Sequence, residues 1–402
     1  MKKFKDWGLL PKVLIAIALG VVCSFFFPDG LVRCFITFNS IFSNFLGLFI
    51  PIIILGLIAP GIFELGKGAG RLLLITAAIA YLSTVLSGLF SYGTCRLTYP
   101  FLLGDAAVSL GAIDMEANDL KPFFTVEMPP LMSVTTALVL AFTIGLSLIA
   151  IQGNTFRNLM LELRELVFLV IRKVIIPILP IFIFGIFLEM GAEGNVGPVL
   201  GMFLKIIVVI FLMHVFVLVL QFCIAGAIAR KNPFKALWTM LPAYVTALGT
   251  QSSAATIPVT RVQAIKNGVD PDVADFVVPL CATIHMSCSI LKIVACAYAI
   301  SLSMSLDTGF GTYMGFILLL GITMIAAPGV PGGAIMAALG LLASMLGFDA
   351  SQQGLMIALY IAMDSFGTAG NVTGDGAIAL IINTIKNKRI NRGEPQDSTV
   401  PA

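Results

Sequence analysis

Met363-Asp-Ser-Phe-Gly-Thr-Ala-Gly-Asn-Val-Thr-Gly-Asp375 is polar and glycine-rich, yet it lies between two apolar runs, Leu355-Met-Ile-Ala-Leu-Tyr-Ile-Ala362 and Gly376-Ala-Ile-Ala-Leu-Ile-Ile382. A carboxylate at bilayer depth costs about 2.5–3.5 kcal/mol on insertion scales unless it is paired or hydrated, so an ionisable group there is by default a functional candidate. From 364 to 375 is about three helical turns, which puts Asp364 and Asp375 on one face, able to meet two cationic centres at different depths. Thr368, Asn371 and Thr373 accompany them. The competing reading is a buried ion pair that only orients helices.

Composition makes the bilayer the right solvent for this argument. Of 402 residues, 58% are hydrophobic and 11% charged, with a mean hydropathy of +1.02, against roughly 25% charged in soluble domains. Several stretches reach the length of about 20 residues that a helical span needs, so the fold expected is all-α and polytopic, not a barrel of short alternating strands. A net charge of +3 supplies no basic surface for a nucleic-acid partner. The seven cysteines sit mostly in apolar runs and read as small buried hydrophobes. The apolar run after Lys12 is read as a first span, not as a cleaved leader.

Apolar runs give spans near Lys12–Phe27, Phe35–Phe63, Leu72–Cys95, Leu131–Ile151, Leu166–Leu188 and Leu200–Ile228. Beyond Asn232 the pattern changes. Leu248-Gly-Thr-Gln-Ser-Ser-Ala and Ala326-Ala-Pro-Gly-Val-Pro-Gly-Gly interrupt membrane-depth segments, as does the 363–375 stretch. Such backbone survives in lipid only where protein or water shields it. Most of the 24 Lys and Arg fall in one alternating set of loops, which marks the cytoplasmic side and places both termini there. For that alternation to close, the segments around Ser252 and around Pro328–Ala334 must each enter and leave on one side, giving two oppositely facing re-entrant hairpins with inverted-repeat character.

Two further constellations carry chemistry. Ser252-Ser253 stands where a half-helix tip would present amide N–H groups and a positive dipole end to a carboxylate; serine as a packing residue explains it equally well. In Pro279-Leu-Cys-Ala-Thr-Ile-His-Met-Ser-Cys-Ser-Ile-Leu-Lys292, His285, Cys288, Ser289, Lys292 and Cys296 recur at helical spacing, which places a histidine and a lysine on one face. Lys292 is too deep to snorkel; it either pairs with an aspartate or serves as a titratable, charge-substituting element. His214 reads as a hydrogen-bonded core residue.

Thr250-Gln-Ser-Ser-Ala-Ala-Thr-Ile-Pro-Val-Thr, Pro279-Leu-Cys-Ala-Thr-Ile-His-Met-Ser, Gly329-Val-Pro-Gly-Gly-Ala-Ile-Met and Asn371-Val-Thr-Gly-Asp together resemble the dicarboxylate/amino acid:cation symporters, the glutamate-transporter homologues. The resemblance implies eight spans and two hairpins. It also implies a trimerising scaffold at 1–70 and 129–190, a mobile transport domain at 71–96 and 198–390 that slides like an elevator, and a cytoplasmic tail at 391–402. Its implied substrate set is Ser252, Ser253, Ser289, Val330, Asp364, Thr368 and Asn371, with Asp364 on the substrate ammonium and Ser253 on its carboxylate. Its implied sodium set is Asp375, Asn371, His285, Cys281, Thr283, Ile325 and Ala327. The resemblance also implies binding near the bilayer midplane.

Departures from the family pattern shape the expectation. His285-Met-Ser-Cys-Ser289 lacks the carboxylate that helps hold a third, deep sodium, and the positions where acidic-substrate members place an arginine are Gly367 and Gln251. Without that bidentate clamp, a side-chain carboxylate would be buried unpartnered, which favours a small neutral amino acid. Gly367 leaves room where the arginine would lie. The expected ions are sodium, fewer than in acidic-substrate relatives, with no organic cofactor; the expected assembly is a homotrimer among membrane lipids, in the cytoplasmic membrane of a cell. Lys292 and His285 are coupling candidates, and proton coupling through them is the alternative. An intramembrane hydrolase using Ser252 or Ser253 with His285 as base fits less well, since no Gly-x-Ser-x-Gly elbow is present.

Overall fold

The computed structural model describes residues 9–66, 71–111, 120–151, 153–192, 196–325, 327 and 331–390; Val330, Pro328 and the tail 391–402 lie outside them. In chain order the helices are α1 (Leu9–Ser24), α2 (Asp29–Gly66), α3 (Arg71–Gly111), α4 (Val134–Ala150), α5 (Thr155–Val170), α6 (Ile176–Ala192), α7 (Val196–Ala229) and α8 (Pro233–Thr239). They continue as α9 (Leu241–Thr250), α10 (Ser253–Lys266), α11 (Pro271–Ile284), α12 (Ser287–Ser303), α13 (Phe310–Ile325), α14 (Gly333–Leu346), α15 (Ala350–Ala362) and α16 (Asp364–Ile390). No strand occurs among the described residues. Five helical segments are long and apolar enough to cross a bilayer, and a sixth forms if α15 and α16, bent by 60°, count as one span. The chain is a multi-pass membrane protein.

Three boundaries differ from those expected. The third span does not stop at Cys95: α3 runs on for 41 residues through Arg96 and Pro100. The fifth begins earlier, because α5, a π-helical turn at Ile171–Ile175 and α6 form one run from Thr155 to Ala192. That widened turn directly precedes Pro177, which has no N–H to give and crowds the preceding turn. The seventh span, the one carrying Pro279–Lys292, is interrupted: α11 ends at Ile284, His285 is extended (φ −99°, ψ 102°), and α12 restarts at Ser287. His285 and Lys292 therefore do not share one unbroken helical face.

Close approach of backbones, as expected where lipid offers no hydrophobic drive between helices, sets the packing. A Cβ on Gly20 of α1 would lie 2.7 Å from the Phe184 carbonyl oxygen of α6, and one on Gly145 of α4 would lie 2.7 Å from Ile62 Cβ of α2. Leu82 and Leu86 of α3 and Leu204, Val208, Leu212 and Phe216 of α7 face outward, a surface suited to acyl chains. α12 is the opposite case. Every residue in it except Leu302 is buried, with α3, α7, α13, α15 and α16 packed around it. A second core of Met240, Ala243, Ala247, Val277, Cys281, Ile284, Val372, Ile378 and Ile382 joins α9, α11 and α16.

Candidate functional site

Three breaks in helices meet beside α16. α9 gives way to α10 through Gln251, whose backbone is left-handed (φ 53°), a conformation costing roughly 1–2 kcal/mol for a residue with a side chain. Its amide Nε2 donates to Ser365 Oγ at 2.8 Å. Ser252 caps α10 by accepting from the Ala255 amide, which satisfies one of the orphan donors of that helix end. α14 starts after Gly332 (φ 74°), whose N–H donates to Asp364 Oδ2 at 2.8 Å. α15 stops at Ala362, and Asp364 opens α16, where a carboxylate is favoured by the helix dipole.

The break at His285–Met286 is held by side chains from two other helices. The Met286 amide donates to Thr84 Oγ1 of α3 at 3.2 Å. The Cys288 and Ser289 amides donate to Asn371 Oδ1 of α16 at 2.8 and 3.3 Å, and Asn371 Nδ2 donates to Ser289 Oγ at 2.9 Å. Asn371 thus caps α12 from within the protein, where the amides it takes are buried.

Two buried pairs of ionisable side chains flank this cap. Lys292 Nζ lies 2.9 Å from Asp364 Oδ1 and 3.5 Å from the centroid of the Tyr360 ring, and the lysine side chain has 0% exposure. His285 Nδ1 lies 2.9 Å from Asp375 Oδ1, and His285 Nε2 lies 3.1 Å from Ser83 Oγ. Gln221 Nε2 donates to Ser83 Oγ and to Ser287 Oγ, each at 3.1 Å. Ser83 Oγ thus joins His285 to Gln221, and Asp375, His285, Ser83, Gln221 and Ser287 form one continuous polar chain. Ser83 and Gln221 line a groove of about 200 Å³ between α3, α7 and α16, walled by Leu82, Leu86, Phe90 and Ile378.

The expected substrate residues Ser253, Ser289, Asp364, Thr368 and Asn371 are buried around these breaks, and Ser252 is half-buried at the tip of α10. Val330 lies outside the described residues. Of the expected sodium set, Asp375, His285, Cys281 and Asn371 are buried, and Ala327 is buried beyond the end of α13. Thr283 is exposed, its hydroxyl donating back to the Leu280 carbonyl at 2.7 Å. Asp364 is not a bare carboxylate, and the room expected at Gly367 is filled: a Cβ there would sit 2.7 Å from Lys292 Nζ. His285 has Ser83 and Asp375 on its two nitrogens, so Ser252 and Ser253 gain no base and the hydrolase reading falls. His214 is a hydrogen-bonded core residue, Nε2 lying 2.9 Å from the Cys288 carbonyl oxygen. Sequence reasoning passed over Gln221 and Tyr360. A lone amide in the middle of the sixth apolar run was the signal available for Gln221; nothing along the chain marks Tyr360, which acts through its ring face.

The profile described as "Sodium:dicarboxylate symporter family" matches residues 9–385. Excitatory amino acid transporter 1 of Ambystoma tigrinum is 30% identical over 250 residues, 61% of this chain and 45% of that protein, and its Rattus norvegicus counterpart is 31% identical over 252 residues, 60% of this chain and 46% of the relative. The match to these relatives therefore spans less than half of their length. The serine/threonine transporter SstT of Acinetobacter baumannii (strain AYE) is 27% identical over 346 residues, 83% of this chain and 85% of that protein. These relatives are transporters, not enzymes. With the profile covering nearly the whole chain and the polar helix breaks meeting at one buried cluster, the chain belongs to the sodium:dicarboxylate symporter family.

Proposed function

We propose that the protein is a secondary active symporter that moves a small neutral amino acid across the membrane, driven by sodium. The observation that carries this is the convergence of the α10 tip, the start of α14 and the unwound His285–Met286 piece on the first three turns of α16. Buried polar groups so arranged suit a small zwitterion: Asp364 for its ammonium, Ser253 with Thr368 and Asn371 for its carboxylate. Asp375 with the backbone near Asn371 would hold sodium. With Asp364 and Lys292 cancelling and His285 neutral, the site carries one negative charge, which one sodium neutralises. In this reading α9–α10 and α13–α14 are the two re-entrant hairpins of an eight-span fold. The scaffold is 1–70 with 129–190, the chain assembles as a trimer in the cytoplasmic membrane with both termini inside, and the transport domain moves as an elevator.

The test is uptake of labelled L-serine, L-alanine and L-threonine by liposomes containing the purified protein under an inward sodium gradient. Saturable accumulation that disappears when choline replaces sodium is expected. Accumulation of succinate or aspartate in preference to all three would overturn the neutral-substrate reading. A second reading, coupling to protons, is favoured by one observation: the Asp375 carboxylate is hydrogen-bonded to His285, and that chain reaches a groove through Ser83 and Gln221. Uptake driven by an inward proton gradient in sodium-free choline would establish it.

A further inference from the structure

Lys292 and Asp364 form a pair that four helices enclose. The ammonium comes from α12; the ring over it, Tyr360, comes from α15; the second oxygen of Asp364 takes the Gly332 amide at the start of α14; and Gly367 of α16 leaves the ammonium its space. Any side chain at 367 would meet Lys292, since a Cβ there would lie 2.7 Å from Nζ and 2.9 Å from Cε. Such a buried pair contributes little net stability, because desolvation offsets the attraction, but removing either partner strands the other charge. A lysine ammonium on a buried carboxylate is also the same chemical contact that an amino acid's ammonium would make.

We propose that Lys292 determines substrate specificity by partner exchange. In the empty carrier its ammonium occupies Asp364 in place of the substrate's; an arriving zwitterion gives its ammonium to Asp364 and its carboxylate, shared with Ser253, to Lys292. This rests on the amino-acid reading above. An α-amino acid brings both charges, so none is stranded. An amine alone would leave Lys292 unpaired, and a carboxylate alone could take Lys292 only by stranding Asp364. The internal pair therefore rejects both half-substrates and selects molecules carrying a free ammonium and a free carboxylate together.

Calorimetric titration of the purified full-length protein with L-serine, ethanolamine (serine without its carboxylate) and glycerate (a hydroxyl in place of the ammonium) tests this. The wild type should bind L-serine and neither analogue. Lys292→Met exposes Asp364 to amines: ethanolamine should bind at least tenfold tighter than to the wild type and L-serine at least tenfold weaker. Gly367→Ala, which pushes the ammonium aside without removing its charge, should move the serine-to-ethanolamine preference the same way by at least threefold, and it decides the matter if Lys292→Met does not fold. An unchanged preference in the variants, with normal serine binding by the wild type, would refute partner exchange and leave the amino-acid reading standing. A wild type that binds glycerate or succinate but no amino acid would overturn both.

Discussion

Replacing Asn371 by alanine removes the buried cap of α12. The Cys288 amide loses an acceptor at 2.8 Å, the Ser289 amide one at 3.3 Å, and Ser289 Oγ loses its donor at 2.9 Å. Leaving a buried donor unsatisfied costs about 1–3 kcal/mol. The short bond warrants the middle of that range, the longer one its lower end, and Ser289 Oγ keeps the Tyr360 hydroxyl at 3.3 Å. The sum is about 2–4 kcal/mol, on the order of 5 °C in unfolding midpoint for a chain this long. Thermal unfolding in detergent at a fixed scan rate, with hydrogen exchange read at the start of α12, measures both effects. Asn371→Asp keeps an acceptor for both amides and should preserve more of the exchange protection than Asn371→Ala. A midpoint within 1 °C of wild type, together with unchanged exchange at Cys288, would show that the break in the seventh span is not held by this cap.

Other outcomes follow from single contacts. Gly20→Ala should destabilise by about 1–3 kcal/mol, as overpacking does, because its methyl would meet the Phe184 carbonyl at 2.7 Å and Phe187 Cβ at 3.0 Å; Gly30→Ala, with nothing within 4 Å, should be near neutral in the same unfolding assay. Ser83→Ala removes the common partner of His285 and Gln221 and should lower stability by about 1–3 kcal/mol. Ser87→Ala, whose hydroxyl bonds only within its own helix, should cost less; equal losses would argue against the network. Gln251→Ala and Gln251→Gly both lose the bond to Ser365, but glycine also relieves the left-handed backbone. The glycine variant should be the more stable by about 1 kcal/mol in denaturant titration.

The sites of chemistry were legible because polar groups in apolar runs are expensive and therefore stand out. Asp364, Asp375, Lys292 and the serines of Thr250-Gln-Ser-Ser could be picked out by cost alone. Their partners could not. Whether Lys292 reaches Asp364 or Asp375 depends on how α12 crosses α16, and no spacing along the chain encodes a distance between residues 72 positions apart. The continuous face drawn through His285 and Lys292 failed for a related reason. An apolar helix breaks without proline or glycine at the break when Thr84 and Asn371 arrive from elsewhere to take the freed amides.

What the order of residues determined by itself was the solvent and the helical class. Apolar runs of span length have one low-energy form in lipid, a helix with its backbone bonds closed internally, and this follows from local composition. What the tertiary structure alone decided was which ionisable groups meet. Asp364 meets Lys292 through the packing of α12 against α16, Asp375 meets His285 because the break between α11 and α12 lies against that same helix, and a buried charge is tolerable only where packing delivers its partner.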